Sequence, residues 1–429
     1  MRRWLIAAAV AAAASGWAAV AASCGDDSAG AADIVKSDAP RQTANTAAAA
    51  DGARAIDAFT AALYAVLARE EGNVVFSPYS AVVALAMTRA GAAGETLAEM
   101  DAVLHAGEAG DLDAALNAID QALAERPGEY PWADRMVELE LSTANQLWGQ
   151  QDFAFSESFL DRLAAFYGAR MRLVDYENAH DEAREAINAW VAEQTRDRIP
   201  ELIGEGVLTP ETRLVLTNAI YLNAPWLHRF DRDATAKAPF TRLDGSTVDA
   251  DFMRLSEDLR YAAGDGYQAV ELPYVDGSLA MLVIVPEPGE FGAVEEAFGP
   301  ALLAEVAASL DTVKVNLAFP RFEFRTQAAL KAALIEMGMP TAFDEMAADF
   351  SGMGPQGADM FIQDVVHEAF ISVDEDGTEA AAATAVIAGV TSAPSEIVDL
   401  EVDRPFLFVI RDRETGATLF VGRVLDPVE

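Results

Sequence analysis

Apolar runs of strand length are concentrated in the second half of the chain, and this segregation most constrains its fold. Residues 214–222, LVLTNAIYL, are apolar on both faces, as expected for a central strand of a covered sheet. Further runs follow at residues 280–286, 313–324, 365–373, 405–411 and 418–424. Helical spacing marks the first half, at residues 54–69, 77–91 and 179–197. Because helices and strands are not interleaved, we predict an α+β fold with large, mostly antiparallel sheets.

The N-terminal residues predict an exported protein. Arg2 and Arg3 precede an apolar, alanine-rich stretch and then small residues, which is typical of a signal peptide over residues 1–23. The sequence AASC before Gly25 resembles a bacterial lipobox, in which Cys24 would be acylated, although leucine is usual where Ala21 stands. The alternative is an ordinary cleaved signal with an incidental cysteine. Either way, we expect a protein that is lipid-anchored at the cell envelope or secreted to the extracellular space.

Two further segments follow the signal. Residues 24–52 are rich in alanine and polar residues without periodic apolar spacing, so we expect a flexible tether. Residues 53–429 contain no second linker and no internal repeat, so we expect them to form one domain. The membrane would then be contacted only through a lipid at Cys24.

The net charge excludes one class of partner. The chain carries 69 acidic against 30 basic residues, a net charge of -39, and such a surface repels phosphate backbones. We therefore expect no nucleic-acid partner, and the acidity favours solubility. Attraction of a cationic partner is the alternative. With a single cysteine, the chain contains no internal disulfide.

Motifs for catalysis are missing from the sequence. It contains neither G-x-S-x-G nor H-E-x-x-H nor a P-loop pattern, so we predict that the protein is not an enzyme and has no metal or cofactor. His367 and Ser77 could suggest a nucleophilic pair. Because His367 and Asn218 each lie in an apolar strand run, we favour a structural role in which the two buried polar side chains satisfy each other.

Four segments, in this order, resemble the serpin family. They are NVVFSPYSAVVALAMTRAGAAGET (73–96), TNAIYLNAPW (217–226), VVHEAFISVDEDGTEAAAATAV (365–386) and DRPFLFVIRDRETGATLFVGRVLDP (403–427). The resemblance covers residues 53–427. It implies a single domain with three mostly antiparallel sheets, about nine helices and an exposed reactive centre loop at about residues 376–396. It also implies that Trp226 lies where the main sheet opens, and that a polar latch behind the opening consists of Ser77, Ser80, Asn218 and His367.

The resemblance implies a suicide mechanism, and the loop sequence suits it. A protease would cut the loop and form an acyl-enzyme. The loop would then insert into the main sheet and trap the protease. A strand buries alternate side chains, and one face here holds only small or apolar groups: Thr378, Ala380, Ala382, Thr384, Val386 and Ala388. The family pattern assigns the hinge to Glu375, Gly377, Thr378, Glu379, Ala380, Ala381, Ala382 and Ala383. Its small residues favour an inhibitory member, with Gly377 as a flexible pivot.

Family spacing places the attacked bond at Thr391–Ser392, with Val390–Thr391 as the alternative. Both present a small, β-branched, uncharged side chain, which a trypsin-like pocket would reject. We therefore expect a monomeric inhibitor of an elastase-like or subtilisin-like serine protease, with a cysteine protease as a further candidate. The alternative function is a non-inhibitory serpin-fold protein that binds a partner or supports the cell envelope.

Overall fold

The computed structural model describes residues 32–132, 135–379 and 397–428. Several predicted features lie outside the described residues. They are the signal peptide, the lipid-attachment residue Cys24, hinge residues Ala380 to Ala383, and the candidate reactive bonds formed by Val390, Thr391 and Ser392.

Ten α-helices occur within the described residues. Ser77 caps the second, because its hydroxyl accepts a hydrogen bond from the backbone amide of Ser80, and Pro78 occupies the first turn. Short helical turns of π or 3-10 type lie at Leu163–Tyr167, Arg232–Ala234, Thr341–Phe343, Ser351–Met353 and Gly357–Asp359. The α-helices are α1 (Thr46–Leu67), α2 (Pro78–Arg89), α3 (Gly94–Val103), α4 (Ala106–Ala109), α5 (Leu112–Leu123), α6 (Glu157–Arg162), α7 (Tyr176–Gln194), α8 (Phe291–Glu296), α9 (Pro300–Ser309) and α10 (Leu330–Glu336).

The described strands confirm the predicted concentration of sheet in the second half. The predicted run 313–324 is divided at Arg321 into two strands. The strands are β1 (Asp33–Val35), β2 (Val74–Phe76), β3 (Gly128–Trp132), β4 (Arg135–Gln150), β5 (Met171–Val174), β6 (Leu214–Pro225), β7 (Ala236–Thr241), β8 (Thr247–Gly264), β9 (Tyr267–Pro273), β10 (Leu279–Pro286), β11 (Asp311–Pro320), β12 (Phe322–Ala329), β13 (Val365–Val373), β14 (Gly377–Thr378), β15 (Ile397–Glu401), β16 (Phe406–Asp412) and β17 (Thr418–Val424).

Strand pairing produces two hydrogen-bonded sheets among the described residues, where three were expected. The first has the order β1-β5-β4-β6-β14-β13-β12, with β3 paired to β4. The second has the order β15-β11-β8-β9-β10-β16-β17-β2, with β7 paired to β8. β8 is long enough to pair with β7 near its start, with β11 along its middle and with β9 near its end, which joins two groups of strands into one sheet.

The hydrophobic core lies between these sheets and the helices. One large cluster combines α1, α2 and α5 with both sheets, and a smaller one joins α7 to β4 and β6. β6 is buried along nearly its whole length, as its two-faced apolar pattern predicts. No helix within the described residues is long and apolar enough to span a membrane.

The structure corrects the expected tether over residues 24–52 in its described part. β1 pairs with β5 at the edge of the first sheet, in the register Asp33 to Leu173. Farther along, the Arg41 guanidinium donates to Asn117 Oδ1 at 2.7 Å and forms an ion pair with Asp120. α1 then begins at Thr46. These backbone and side-chain bonds hold residues 33–46 against the domain, and a composition-based prediction could not detect them because they depend on distant partners.

Candidate functional site

The hinge lies in the seam between β6 and β13. β14 is paired on one side with β6, in the register Gly377 to Pro225 and Thr378 to Ala224. On its other side, Thr378 pairs with Val373 of β13. Farther along the same seam, β6 and β13 pair directly with each other as parallel neighbours, from Val365 to Ala369 of β13. Two residues of the hinge therefore already form a strand within the main sheet.

A tight turn connects β13 to β14 and places the hinge. The Asp374 carboxylate accepts backbone hydrogen bonds from Asp376 at 2.8 Å and Gly377 at 3.2 Å. The amide of Asp374 donates to the carbonyl of Gly377 at 3.0 Å, which closes the turn. Trp226 fixes the turn from outside, since its amide donates to the Asp376 carbonyl and its indole Nε1–H to the Asp374 carbonyl, at 2.8 and 2.9 Å. The backbone of the turn is thus held by hydrogen bonds from within the turn and from Trp226.

Gly377 is required for close packing in this structure, and its expected role as a flexible pivot stays a prediction. Its φ angle is not in the left-handed region, so no special backbone freedom is used. A Cβ atom added there would stand 2.7 Å from the Cα of Pro225 and closer still to the carbonyl oxygen of Ala224. Glycine is needed because two backbones approach each other at this point.

Charged residues beside the turn are paired with cations. The buried carboxylate of Glu375 accepts hydrogen bonds from the Arg321 Nε, at 2.9 Å, and from the Thr235 hydroxyl, at 2.5 Å. Burial opposes ionisation of Glu375, but the bonds from Thr235 and Arg321 outweigh it and lower its pKa. Asp376 forms an ion pair with Arg232. These pairs attach the start of the hinge to the body of the protein.

Thr378 is buried, and its hydroxyl forms a hydrogen bond of 2.6 Å with the phenol of Tyr274. Tyr274 stacks on Trp226, with ring centroids 4.7 Å apart and planes 8° from parallel. Trp226 thus lies at the end of β6, beside the hinge turn. Its assignment to the place where the sheet opens stays a prediction. The stack is sealed from solvent, because both aromatic residues are fully buried.

Glu379 is the first residue after β14 and has a different backbone conformation. Its φ is +55°, a left-handed value that is uncommon for a residue other than glycine. Its amide donates to the Ser372 carbonyl at 2.8 Å, and its carboxylate forms an ion pair with Arg198. Burial raises the pKa of Glu379, and Arg198 partly opposes the rise. A strand cannot continue through this conformation, so β14 ends at Thr378, and the ion pair with Arg198 holds Glu379 in this position.

The four predicted latch residues come together at the directly paired part of the seam. The Ser77 amide donates to His367 Nε2 at 3.0 Å, and His367 Nδ1–H donates to the side-chain oxygen of Asn218. The Ser80 hydroxyl donates to Asn145 Oδ1 at 2.6 Å, which adds β4 to the network. Ser77, Ser80, Asn218 and His367 are all fully buried. The latch joins α2, β4, β6 and β13 at one place.

His367 is neutral in this network. Burial lowers its pKa to about 4, although its contact with Asn218 opposes the shift. Nε2 accepts a hydrogen bond from a backbone amide, so a proton added there would break that bond. Nε2 is bonded to the amide of Ser77 and not to its hydroxyl, which therefore gains no general base. The geometry suits a structural lock and offers no activated nucleophile in the latch.

Sequence reasoning missed several residues that hold the hinge. Asn145 gave one signal, a polar residue within a strand, but nothing in the sequence connected it to Ser80. The partners of the hinge gave no signal in the sequence, because they lie on other elements and far away along the chain. These partners are Arg198, Arg232, Thr235, Tyr274 and Arg321. No group of three or more His, Cys, Asp or Glu residues suited to a metal occurs in the part of the chain that the structure describes.

Comparison with known proteins places this site in a family. The family model described as "Serpin (serine protease inhibitor)" matches residues 54–427, which include the hinge and the latch. An uncharacterized serpin-like protein of Thermococcus kodakarensis is 39% identical over 87% of this chain and 85% of its own. The human leukocyte elastase inhibitor is 34% identical over 83% of this chain and 93% of its own. Tengpin, a thermophilic serpin solved in its native state, matches with a TM-score of 0.78 and 26% identity, over 92% of this chain and 99% of tengpin.

Proposed function

Because the chain belongs to the serpin family, we propose that it traps a protease as a suicide substrate, through cleavage and insertion of its reactive centre loop. Family membership and the likeness to an elastase inhibitor support protease inhibition in general. The observation that carries the detailed mechanism is the hinge pairing, in which Gly377 and Thr378 already occupy the seam between β6 and β13. Insertion then needs only to extend a strand that has begun.

The existing register determines where each loop residue would go. Thr378 lies between Val373 and Ala224, and both pairings are antiparallel. If the strand continues in this register, Ala382 enters between Ala369 and Ile220, which now pair directly. Alanine has no bulk to resist this step, and the loop up to Ala393 contains no proline that would remove a ladder hydrogen bond.

The same register brings Thr384 between His367 and Asn218, which are direct partners in the closed seam. Separating them would leave buried polar groups without partners, and such groups are costly. The hydroxyl of Thr384 can both donate and accept, so it can bond to the separated pair. Asn218 Nδ2 has no partner among the described residues and is available for this contact. The loop sequence therefore suits passage through the latch.

We place the attacked bond at Thr391–Ser392, with Val390–Thr391 as the alternative. Their small uncharged side chains suit an elastase-like or subtilisin-like protease with a small apolar pocket. The similarity to the human leukocyte elastase inhibitor supports this target class. A cysteine protease with a similar pocket is a further candidate.

A trapping assay tests the function. The protein from residue 25 onward is mixed separately with elastase, subtilisin, chymotrypsin and trypsin, since residues 32–52 pack on the domain and should be kept. We expect a covalent band at the summed mass on a denaturing gel with elastase or subtilisin. Mass spectrometry should find a released peptide that starts at Ser392 or Thr391. Cleavage of the loop by every protease without a covalent band would reject inhibition of these proteases and favour the non-inhibitory alternative.

We further propose that the protein is exported and anchored through a lipid on Cys24. The signal-like residues 1–23 and the sequence AASC support this location. Labelling of expressing cells with a radioactive fatty acid should mark the wild type and leave Cys24→Ser unlabelled. Equal labelling of both proteins, or none of either with a soluble exported product, would reject the anchor.

A further inference from the structure

Tyr274 lies in the connection between two strands of the second sheet but contacts the hinge in the first sheet. It follows β9 and precedes β10, and it forms an isolated bridge to Trp226 at the end of β6. Its amide donates to the Leu279 carbonyl at 2.9 Å, and the amide of Val275 donates to the Pro225 carbonyl at 2.8 Å. With its ring stacked on Trp226, the side chain is fixed from both sheets. Tyr274 cannot follow the hinge if the hinge moves.

The phenol hydroxyl depends on the hinge for its hydrogen bond. Its partner among the described residues is the Thr378 hydroxyl, at 2.6 Å, and both residues are buried. If the hinge left the seam, the hydroxyl would remain buried without that partner, which is unfavourable. The ring itself would keep its stack on Trp226. The hydrogen bond of the hydroxyl therefore stabilises the hinge in the seam. The ring packs in the core whether or not the hinge lies in the seam.

We propose that Tyr274 is a positioning residue for loop insertion, which holds the Thr378 hydroxyl in the seam and selects a hydroxyl side chain at that position. This inference rests on the proposed function. Insertion competes with hydrolysis of the acyl-enzyme. A hinge that starts inside the sheet leaves fewer residues to insert, which favours insertion over hydrolysis. Without the bond, more inhibitor molecules should be hydrolysed before one traps its protease.

Conservative substitutions separate this role from simple packing. Tyr274→Phe removes one oxygen and keeps the stack on Trp226, and Thr378→Val removes the hinge hydroxyl at nearly the same volume. Thr378→Ser keeps the hydroxyl and serves as the rescue variant. Tyr64→Phe is the matched control, because Tyr64 is also buried and its hydroxyl bonds to Glu295 at 2.8 Å, far from the hinge.

The first readout is the stoichiometry of inhibition, the number of inhibitor molecules consumed for each protease trapped. We expect Tyr274→Phe and Thr378→Val each to raise it about threefold to tenfold, and the double variant to raise it no further, since both remove the same bond. Thr378→Ser and Tyr64→Phe should stay within about twofold of the wild type. In all of these variants, the rate constant for association of the inhibitor with the protease should change by less than about twofold, because the attacked bond is unchanged. A purely structural role would lower thermal stability and leave the stoichiometry unaltered, which would overturn the proposal.

The second readout does not need a protease. Hydrogen exchange of the segment that contains Thr378, followed by mass spectrometry, should be about tenfold faster in Tyr274→Phe and in Thr378→Val than in Tyr64→Phe. Unchanged exchange would refute the positioning role, whatever the inhibition data show. If the wild type traps no protease but exchange is faster in Tyr274→Phe and in Thr378→Val, only the inhibitory function would be rejected. The placement of the hinge by Tyr274 would still be supported.

Discussion

The two ends of the seam between β6 and β13 differ in what fills them. At the hinge end, Gly377 and Thr378 lie between the two strands: both are paired with β6, and Thr378 is also paired with β13. At the closed end, β6 and β13 pair directly, and His367 and Asn218 lie opposite each other in a buried network. The comparison teaches that one end of the seam already holds a third strand, while the other end is closed by buried polar bonds that the proposed insertion would have to exchange for new ones.

The largest expected effect comes from a charge at the hinge end. Thr378→Arg would bury a cation where a threonine hydroxyl now meets Tyr274, and an unpaired buried charge is very unfavourable. We expect the variant to be cleaved as a substrate, with the covalent complex reduced by at least about tenfold. Thr247→Arg adds the same charge at an exposed site and should still trap protease. Undiminished trapping by Thr378→Arg would show that this residue need not enter the sheet.

The closed end should respond to pH. An unfolded histidine takes up a proton near pH 6.5, while His367 stays neutral to about pH 4. The stability that His367 contributes is therefore lost as the pH falls from 6.5 toward 4, by about 3 kcal/mol in total. Urea unfolding should show this loss in the wild type relative to His367→Gln, which keeps a donor and an acceptor. Parallel pH curves for the two proteins would contradict a buried neutral His367.

A methyl group at the hinge end should displace β14. Gly377→Ala places a Cβ against the backbone of Ala224 and Pro225, so the turn must shift. We expect a loss of about 2 kcal/mol of stability, measured by thermal unfolding. Gly107→Ala is the matched control, because nothing lies within 4 Å of its added Cβ. If both variants unfold alike, the close backbone approach at Gly377 is not maintained in solution.

The smallest effect is expected where the chain leaves the seam. Arg198→Gln removes the ion pair with Glu379, but Arg198 is half exposed, so the pair contributes less than about 1 kcal/mol. Hydrogen exchange at Glu379 should rise by less than about fivefold, and the difference from wild type should shrink at high salt concentration. Arg196→Gln, which removes the neighbouring pair with Glu140, should leave this exchange unchanged. A change in exchange that does not depend on salt, or an equal change in both variants, would argue that the ion pair between Arg198 and Glu379 does not hold the end of β14.

The latch and the hinge were predictable from the sequence to different extents. His367 and Asn218 stand out as polar residues in apolar strands, and the requirement that buried polar groups find partners led to their pairing. Thr378 and Gly377 were identified through the order of four family-like segments. The partners that hold the hinge were not predictable, because Tyr274 and Arg321 follow no local pattern and reach the turn only through tertiary packing.

The same limit explains one correction and one requirement that the sequence did not reveal. Residues 33–46 have the composition of a tether, yet β1 and Arg41 find partners on β5 and α5. Gly377 suggested a pivot, and the approach of a second backbone, which also requires glycine there, was not predictable. In both cases the deciding partner is distant along the chain.

The sequence by itself determined the α+β class, the order of helices and strands, the buried polar pair and the small side chains of the loop, because periodicity and side-chain size are local properties. The tertiary structure alone decided that β14 already lies in the seam, that Tyr274 bonds to Thr378 and stacks on Trp226, and that Glu379 has a left-handed backbone conformation. Those outcomes depend on which surfaces meet when two sheets and their helices pack, and no single segment carries that information.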